Sequence, residues 1–468
     1  MSLTALDPRR YGSPLPVHAL SRTLPAVLAL LVACAEGANR ADAPLDRVHY
    51  PAGAALSEGQ LLVANADQDL AYEGGSLLAF DPETGEIEGG VALPYMAGRL
   101  RVVDEEAAEG CEFGAGFPYL VPFAMVPGRS EESLHVVRLP LAPGTQDPRR
   151  RIDLRADGAA YPYEAALTCG ADGTPRAWVS FQRGLDDRGY VAQLDLSGAT
   201  FPPPVVQVFT GLGAPRNFAW DRDQDRLYFT TREFRLRAPI RWIGIGDGCE
   251  PFDGGVQDER RGGCHVDQQG IDLSAHLVGA EPNGIALSSG ERPCVYGEAG
   301  DVCRRMYVTV QLYDADLARY LDGRPSGDVG GKLVVLELFE SGLGGPAVRW
   351  IDDVDIGKVA GDVLVIRRPP LGDLVVTTAV HDDLLWIYDD ERGGVAKVFG
   401  RLATGVPEVG HKPTGLASLD MGNGTVRVFV TSYEDHWVTA VDIPLADPTQ
   451  ARVAVDGGAA PLRFGRPQ

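Results

Sequence analysis

A proline placed four residues ahead of an alanine, inside a short apolar stretch, returns along this chain about every 60 residues. The full copies are Pro51-Ala-Gly-Ala-Ala55-Leu, Pro162-Tyr-Glu-Ala-Ala166-Leu, Pro215-Arg-Asn-Phe-Ala219-Trp, Pro282-Asn-Gly-Ile-Ala286-Leu and Pro413-Thr-Gly-Leu-Ala417-Ser. Two degenerate copies, Leu120-Val-Pro-Phe-Ala124-Met and Gly361-Asp-Val-Leu-Val365-Ile, fill the gaps and bring the number to seven. A unit that repeats in this way buries its apolar face against the next copy, so the chain is restricted to a repeat array or a closed ring.

Each start is followed, after a turn, by a stronger strand: Leu61-Leu-Val-Ala, Leu134-His-Val-Val-Arg, Ala177-Trp-Val-Ser-Phe, Leu227-Tyr-Phe-Thr-Thr, Met306-Tyr-Val-Thr-Val, Leu374-Val-Val-Thr-Thr and Val428-Phe-Val-Thr-Ser. A third strand commonly ends in an acid, as in Leu77-Leu-Ala-Phe-Asp81 and Leu385-Trp-Ile-Tyr-Asp389. Three strands and a less regular fourth make a blade. The 57 Gly and 34 Pro are spread between these strands, as turns are in an all-β protein. The predicted fold is therefore all-β, a seven-bladed β-propeller of four-stranded antiparallel blades over residues 46–468. The small Ala of the first strand is expected to relieve crowding around the axis. Ring closure is open to two solutions, Val453-Ala-Val455 as the outer strand of the last blade or Arg47-Val-His-Tyr50 completing it from the N-terminal side.

This pattern resembles the YVTN/NHL-like seven-bladed propellers, with Tyr307-Val308-Thr309 as the nearest match and Val310 where that family has Asn. The resemblance runs from residue 51 to about 456 and implies fold rather than activity. Asp221-Arg-Asp-Gln-Asp225 has the look of a calcium loop, but it falls between first and second strands and lacks the loop glycine, so it reads as a turn.

The N-terminal residues follow another logic. Arg9, Arg10 and Arg22 precede the apolar run Leu24–Ala33, which ends at Cys34. That run is about half the length of a bilayer-crossing helix, so residues 1–33 read as a signal peptide. Leu31-Val-Ala-Cys34 resembles the bacterial lipobox, which implies lipidation of Cys34; the alternative is an ordinary signal peptide with an incidental cysteine. Acyl chains would hold the protein on a membrane, with residues 34–45 as a polar tether and the outer membrane favoured because Asp does not follow Cys34.

Of seven cysteines, setting Cys34 aside leaves six, which suits three disulfides in an exported protein. Cys294–Cys303 and Cys249–Cys264 enclose short loop segments, and Cys111–Cys169 follows by elimination. A zinc site is the rival, although no C-x-x-C occurs.

With 43 Lys+Arg against 65 Asp+Glu, the formal charge of -22 argues against nucleic acid as a partner. In a propeller, the residues that begin each first strand and follow each second strand converge at one mouth. Here that set holds Glu164, Asn217, Asn283, Asp362, His411 and Lys412 from strand starts. Post-strand residues add Asn65, Asp67, Asp69, Gln182, Arg232, Gln311, Asp314, His381, Asp382, Asp383, Glu434, Asp435 and His436. The first functional reading is a cell-envelope module that binds a ligand or an envelope protein through this polar, acidic mouth, with Glu164, Asn217, Asn283, Asp362, His381 and His411 as candidate contacts. The second is a metal-dependent lactone or ester hydrolase in which Glu164, Asn217, Asn283 and Asp362 hold Ca²⁺, the oxygen-donor set that the resemblance to propeller lactonases implies. No G-x-S-x-G, Walker loop or H-E-x-x-H is present. His49, His135 and His276 read as surface or packing residues.

Overall fold

The computed structural model describes residues 41–468 except 95, 116, 119, 144–147, 155–159, 171, 184–188, 233–239, 246–269, 289, 291, 296–301, 314–327, 341–345, 456–459 and 466–468. The expected signal peptide, Cys34, most of the expected tether, the expected Cys249–Cys264 pair and Asp314 therefore lie outside the described residues. Seven antiparallel sheets follow one another along the chain. Blade 1 consists of Pro51–Ser57, Gln60–Asn65, Gly75–Phe80 and Ile87–Leu93. Blades 3, 5, 6 and 7 repeat this order, beginning at Ala160–Cys169, Ala280–Leu287, Ala360–Ile366 and Pro413–Asp420. Blade 4 shows three strands, Ala214–Asp221, Arg226–Arg232 and Ile240–Gly244, among the described residues. Between the first two of these, Asp221 to Asp225 forms the expected turn, with Gln224 N donating to Asp221 Oδ1 at 3.2 Å.

Seven apolar clusters fill the seven gaps between neighbouring blades. Successive side chains of a strand point to opposite faces, so each second strand feeds two gaps at once. Leu61 and Val63 pack toward blade 7, whereas Leu62 and Ala64 pack toward blade 2. This two-sided burial is why the second strands are unbroken apolar runs rather than alternating ones.

Two expectations about strand starts change. In blade 2 the innermost strand is Arg101–Val103, followed by Phe123–Gly128, Ser133–Arg138 and Arg149–Asp153. Phe123–Met125 of the expected first strand therefore belongs to the second, and Leu134–Arg138 to the third. The true inner strand has three residues and neither Pro nor Ala, and the segment 104–122 separates it from its partner. In blade 6, the irregularity lies between Ala360 and Val363, as it does between Pro215 and Phe218 in blade 4. The repeat there starts one residue earlier, with Ala360 in the proline place.

The repeated alanines do not face the axis. Ala166 packs with Trp178 and Phe229 in the gap between blades 3 and 4, and Ala417 with Phe429 and Phe464 between blades 7 and 1. Close approach at the axis is met instead by the glycine of the motif: a Cβ on Gly415 would sit 2.8 Å from Gly53 Cα and 2.9 Å from Ala54 N.

The ring closes on the C-terminal side. Arg452–Val453 and Arg463–Phe464 both pair with the third strand of blade 7, Trp437–Pro444, and Val48 N reaches Gly465 O at 3.4 Å outside them. The first closure solution is realised in a shortened form, with one backbone bond from the second. Two of the expected disulfides are present, Cys111–Cys169 and Cys294–Cys303. Among the described residues, no helix is long and apolar enough to cross a membrane.

Candidate functional site

In every blade but the second, the first strand bulges just after the place of the motif's proline, and in blades 3 to 7 the backbone N–H that this frees from the ladder finds the same kind of partner. A hydroxyl on the second strand accepts it: Glu164 N donates to Ser180 Oγ, Asn217 N to Thr230 Oγ1, Gly284 N to Thr309 Oγ1, Asp362 N to Thr378 Oγ1 and Gly415 N to Thr431 Oγ1, at 2.7–3.2 Å. Three of these hydroxyls donate onward to the next blade, Ser180 to Arg216 O at 2.8 Å, Thr230 to Asn283 O at 2.7 Å and Thr309 to Gly361 O at 2.7 Å. The Thr or Ser near the end of the second strand is thus a stitch between blades. The bulged position is glycine in blades 1, 5 and 7, at Gly53, Gly284 and Gly415. In blades 3, 4 and 6 it is Glu164, Asn217 and Asp362, whose side chains are thereby delivered to the axis.

These three side chains converge, and a guanidinium stands among them. Arg99, two residues before the inner strand of blade 2, donates through Nη1 to Asn217 Oδ1 at 2.6 Å, lies 3.6 Å from Glu164 Oε2, and pairs through Nη2 with Asp362 Oδ1. Phe218 N also donates to Glu164 Oε2, at 3.2 Å. Burial pushes the Glu164 carboxyl above its usual range, against the pull of Arg99 and then Arg101. Asn283 is committed elsewhere: its Oδ1 accepts from Arg216 at 3.1 Å and its Nδ2 donates to Ala360 O at 2.7 Å. The oxygen donors that a calcium ion would require are already held by Arg99 and Arg216 and by the backbone amides of Phe218 and Val363. The residues present do not fit that ion, and no chemical step follows from it.

Above this knot is a cavity of about 230 Å³ at the predicted mouth, lined by Arg99, Asn217, Asn283 and Asp362 together with Ala52, Ala66, Gln68, Met96, Arg129, Tyr163, Thr414 and Tyr433. Arg129 is the unbalanced charge. No carboxylate pairs with it among the described residues; its Nη2 makes one long contact, 3.4 Å to Gln182 Oε1, and its guanidinium lies 5.6 Å from the Tyr163 ring centre. Its Nε and the Tyr433 hydroxyl are buried with no hydrogen-bond partner. Burial lowers the Arg129 pKa from its ordinary value, with the Tyr163 phenol opposing it and Arg216 adding to it; burial and then Tyr50 raise that of Tyr433. A half-buried cation that no carboxylate pairs with and a buried hydroxyl that has no partner, both facing one small cavity, are what an oxyanion would satisfy.

Several of the other mouth residues hold loops. His411 Nδ1 pairs with Asp435 Oδ1 at 2.9 Å, Lys412 Nζ with Glu434, and Arg401 with Asp383 at 2.5 Å. His381 is exposed, and its backbone N–H donates to Lys358 O at 3.2 Å. Neither His381 nor His411 lines the cavity. Sequence reasoning missed Arg99, Arg129, Tyr163 and Tyr433. Tyr163 and Tyr433 sit beside positions the motif does mark, and Arg129 follows a second strand once blade 2 is read in its correct order.

No protein-family model matches the chain, and no curated protein matches it. Among solved structures, it is similar to a candidate 6-phosphogluconolactonase from Bacteroides fragilis NCTC 9343, with a TM-score of 0.47 and 11% identity over 87% of this chain and 94% of that one. A second candidate 6-phosphogluconolactonase, from Bacteroides uniformis ATCC 8492, gives a TM-score of 0.45 and 12% identity over 87% and 100%. A functionally unknown protein from Desulfotomaculum acetoxidans DSM 771 gives 0.45 and 10% over 83% and 94%. At such identities a likeness concerns the fold alone and assigns no chemistry to this chain.

Proposed function

We propose that this is an exported, lipid-anchored envelope protein whose propeller binds a small organic oxyanion in the axial cavity. The observation that carries the reading is Arg129, a half-buried cation that no carboxylate pairs with among the described residues, next to the unpartnered Tyr433 hydroxyl in a cavity sized for a small molecule. Tyr163 and Tyr433 supply apolar ring faces for the body of the ligand, and Arg129 fixes its charged end. The hydrolase alternative has no comparable support, since Arg99 engages the oxygen donors it would use.

A thermal-shift screen with gluconate, citrate and inorganic phosphate tests the binding reading. At least one anion should raise the melting temperature of the parent protein and have its effect reduced at least tenfold in concentration terms by Arg129→Met. If no anion shifts the melt, or if Arg129→Met responds as the parent does, the cavity is not an oxyanion site.

Export rests on the N-terminal pattern and is supported by the two disulfides, which suit an oxidising compartment. Metabolic labelling with a radioactive fatty acid in a bacterial host should mark the protein, and Cys34→Ser should abolish the label. Equal labelling of both forms, or of neither, would remove the anchor from the proposal.

A further inference from the structure

The loop that leaves the second strand of blade 1 sends alternate residues to two places. Ala66 and Gln68 line the axial cavity. Asp67 and Asp69 instead meet His49, which precedes the first strand of the same blade. His49 Nε2 lies 3.0 Å from Asp69 Oδ1 and 3.7 Å from Asp67 Oδ1, and one donor atom from each of the three residues falls within 4.8 Å of the other two. His49 is held in place from behind, its backbone N–H donating to Asn65 Oδ1 at 3.1 Å while Asn65 donates to Ser76 Oγ at 2.8 Å.

Asp67 is the telling member. Its side chain is fully buried, and both its oxygens accept from a single backbone donor, Tyr72 N, at 3.2 and 3.3 Å. No lysine or arginine pairs with it among the described residues. A second carboxylate, Asp69, stands beside it. A buried carboxylate beside a like charge is costly unless a cation is near. Rings close the surroundings: Tyr50 and Tyr72 lie 4.8 and 4.9 Å from the His49 ring centre, and His436, from the turn after the second strand of blade 7, lies 4.8 Å away at 74°.

We propose that His49, Asp67 and Asp69 form a binding site for a divalent transition-metal ion of the zinc class, with the His436 ring packed beside that of His49 at the edge of the site. One imidazole nitrogen and two carboxylates suit a borderline ion. Tetrahedral zinc with bonds of about 2.0–2.1 Å sets its donors roughly 3.3–3.4 Å apart, and the two separations from His49 Nε2, 3.0 and 3.7 Å, fall on either side of that value. Calcium, which takes six to eight oxygens, would find too few here. The site goes beyond the proposed oxyanion cavity and shares no residue with it, although the two adjoin along residues 66–69.

The test is isothermal titration of the full-length, detergent-solubilised, chelator-treated protein with Zn²⁺, and with Co²⁺ followed by its visible absorption. One Zn²⁺ per chain and a cobalt spectrum of low coordination number are expected. His49→Gln and Asp67→Asn should each weaken binding at least tenfold, and His436→Gln by less. Asp69→Asn, at a side chain 41% exposed, serves where the buried Asp67→Asn variant does not fold, and should also lose at least tenfold. Absence of binding, or equal binding by His49→Gln, Asp69→Asn and the parent, would overturn the assignment. Arg129→Met should leave zinc binding intact, so failure of the oxyanion reading and failure of this one are separately visible.

Discussion

At the scale of single residues, Arg99 decides how the axis is to be understood. Its side chain is 23% exposed, and its partners Glu164 and Asp362 are 5% and 12% exposed, so little water screens the arrangement. Removing one member of a buried ion pair costs about 3–5 kcal/mol, because the other is left charged and unsolvated. Arg99→Ala should therefore destabilise the protein by about that amount in chemical denaturation. It should also do something the parent cannot. With the guanidinium gone, Glu164, Asn217 and Asp362 become free oxygen donors around a hole, and millimolar Ca²⁺ should raise the melting temperature of the variant while leaving the parent unmoved. A variant as stable as the parent would show that the carboxylates do not depend on Arg99, and a variant indifferent to Ca²⁺ would show that the three donors do not form a cation site even when vacated. The sequence marked these acids and amides correctly as axial, because they stand at motif positions. It did not mark the cation between them, because Arg99 precedes a strand of three residues that carries no motif.

At the scale of elements, legibility followed redundancy. The second strands are buried on both faces, so their unbroken apolar runs can be recognised from sequence alone, and six of the seven were placed in the right order within their blades. Blade 2 broke the pattern at its first strand, and its later strands were each read one place too early. Blade 6 was displaced by a single residue, because Ala360 stands where the motif has proline and nothing in composition separates it from Gly361. Both cases have one physical source. The proline and glycine of the motif serve the bulge and the close packing at the axis, and a blade that meets those demands with other residues loses its signature without losing its shape. A second-strand hydroxyl recurs as often as the proline and more often than the glycine, since Ser180, Thr230, Thr309, Thr378 and Thr431 all satisfy the same freed amide.

For the whole molecule, the question is how seven similar gaps become one cooperative ring. Six gaps lie between blades adjacent in sequence. The seventh joins blade 7 to blade 1, and it is held by residues from both ends of the described chain. Phe464 is central to it: almost fully buried, with its ring 6.3 Å from that of Phe80 in blade 1 and 5.6 Å from that of Phe429 in blade 7. Thr414 adds a polar link, its hydroxyl donating to Pro51 O at 3.0 Å. Truncating a buried phenylalanine to alanine costs about 3–5 kcal/mol, and Phe464→Ala should lower the unfolding free energy by that order. The form of the transition is the sharper test. Each second strand contributes side chains to two gaps, so opening the seventh gap exposes one face of blades 1 and 7 and weakens their packing against blades 2 and 6 in turn. Calorimetry of Phe464→Ala should accordingly show a single transition at a lower temperature. A small early transition ahead of an unchanged main one would mean that the closing strands unfold by themselves, and that the ring is held by its six sequential gaps rather than by closure.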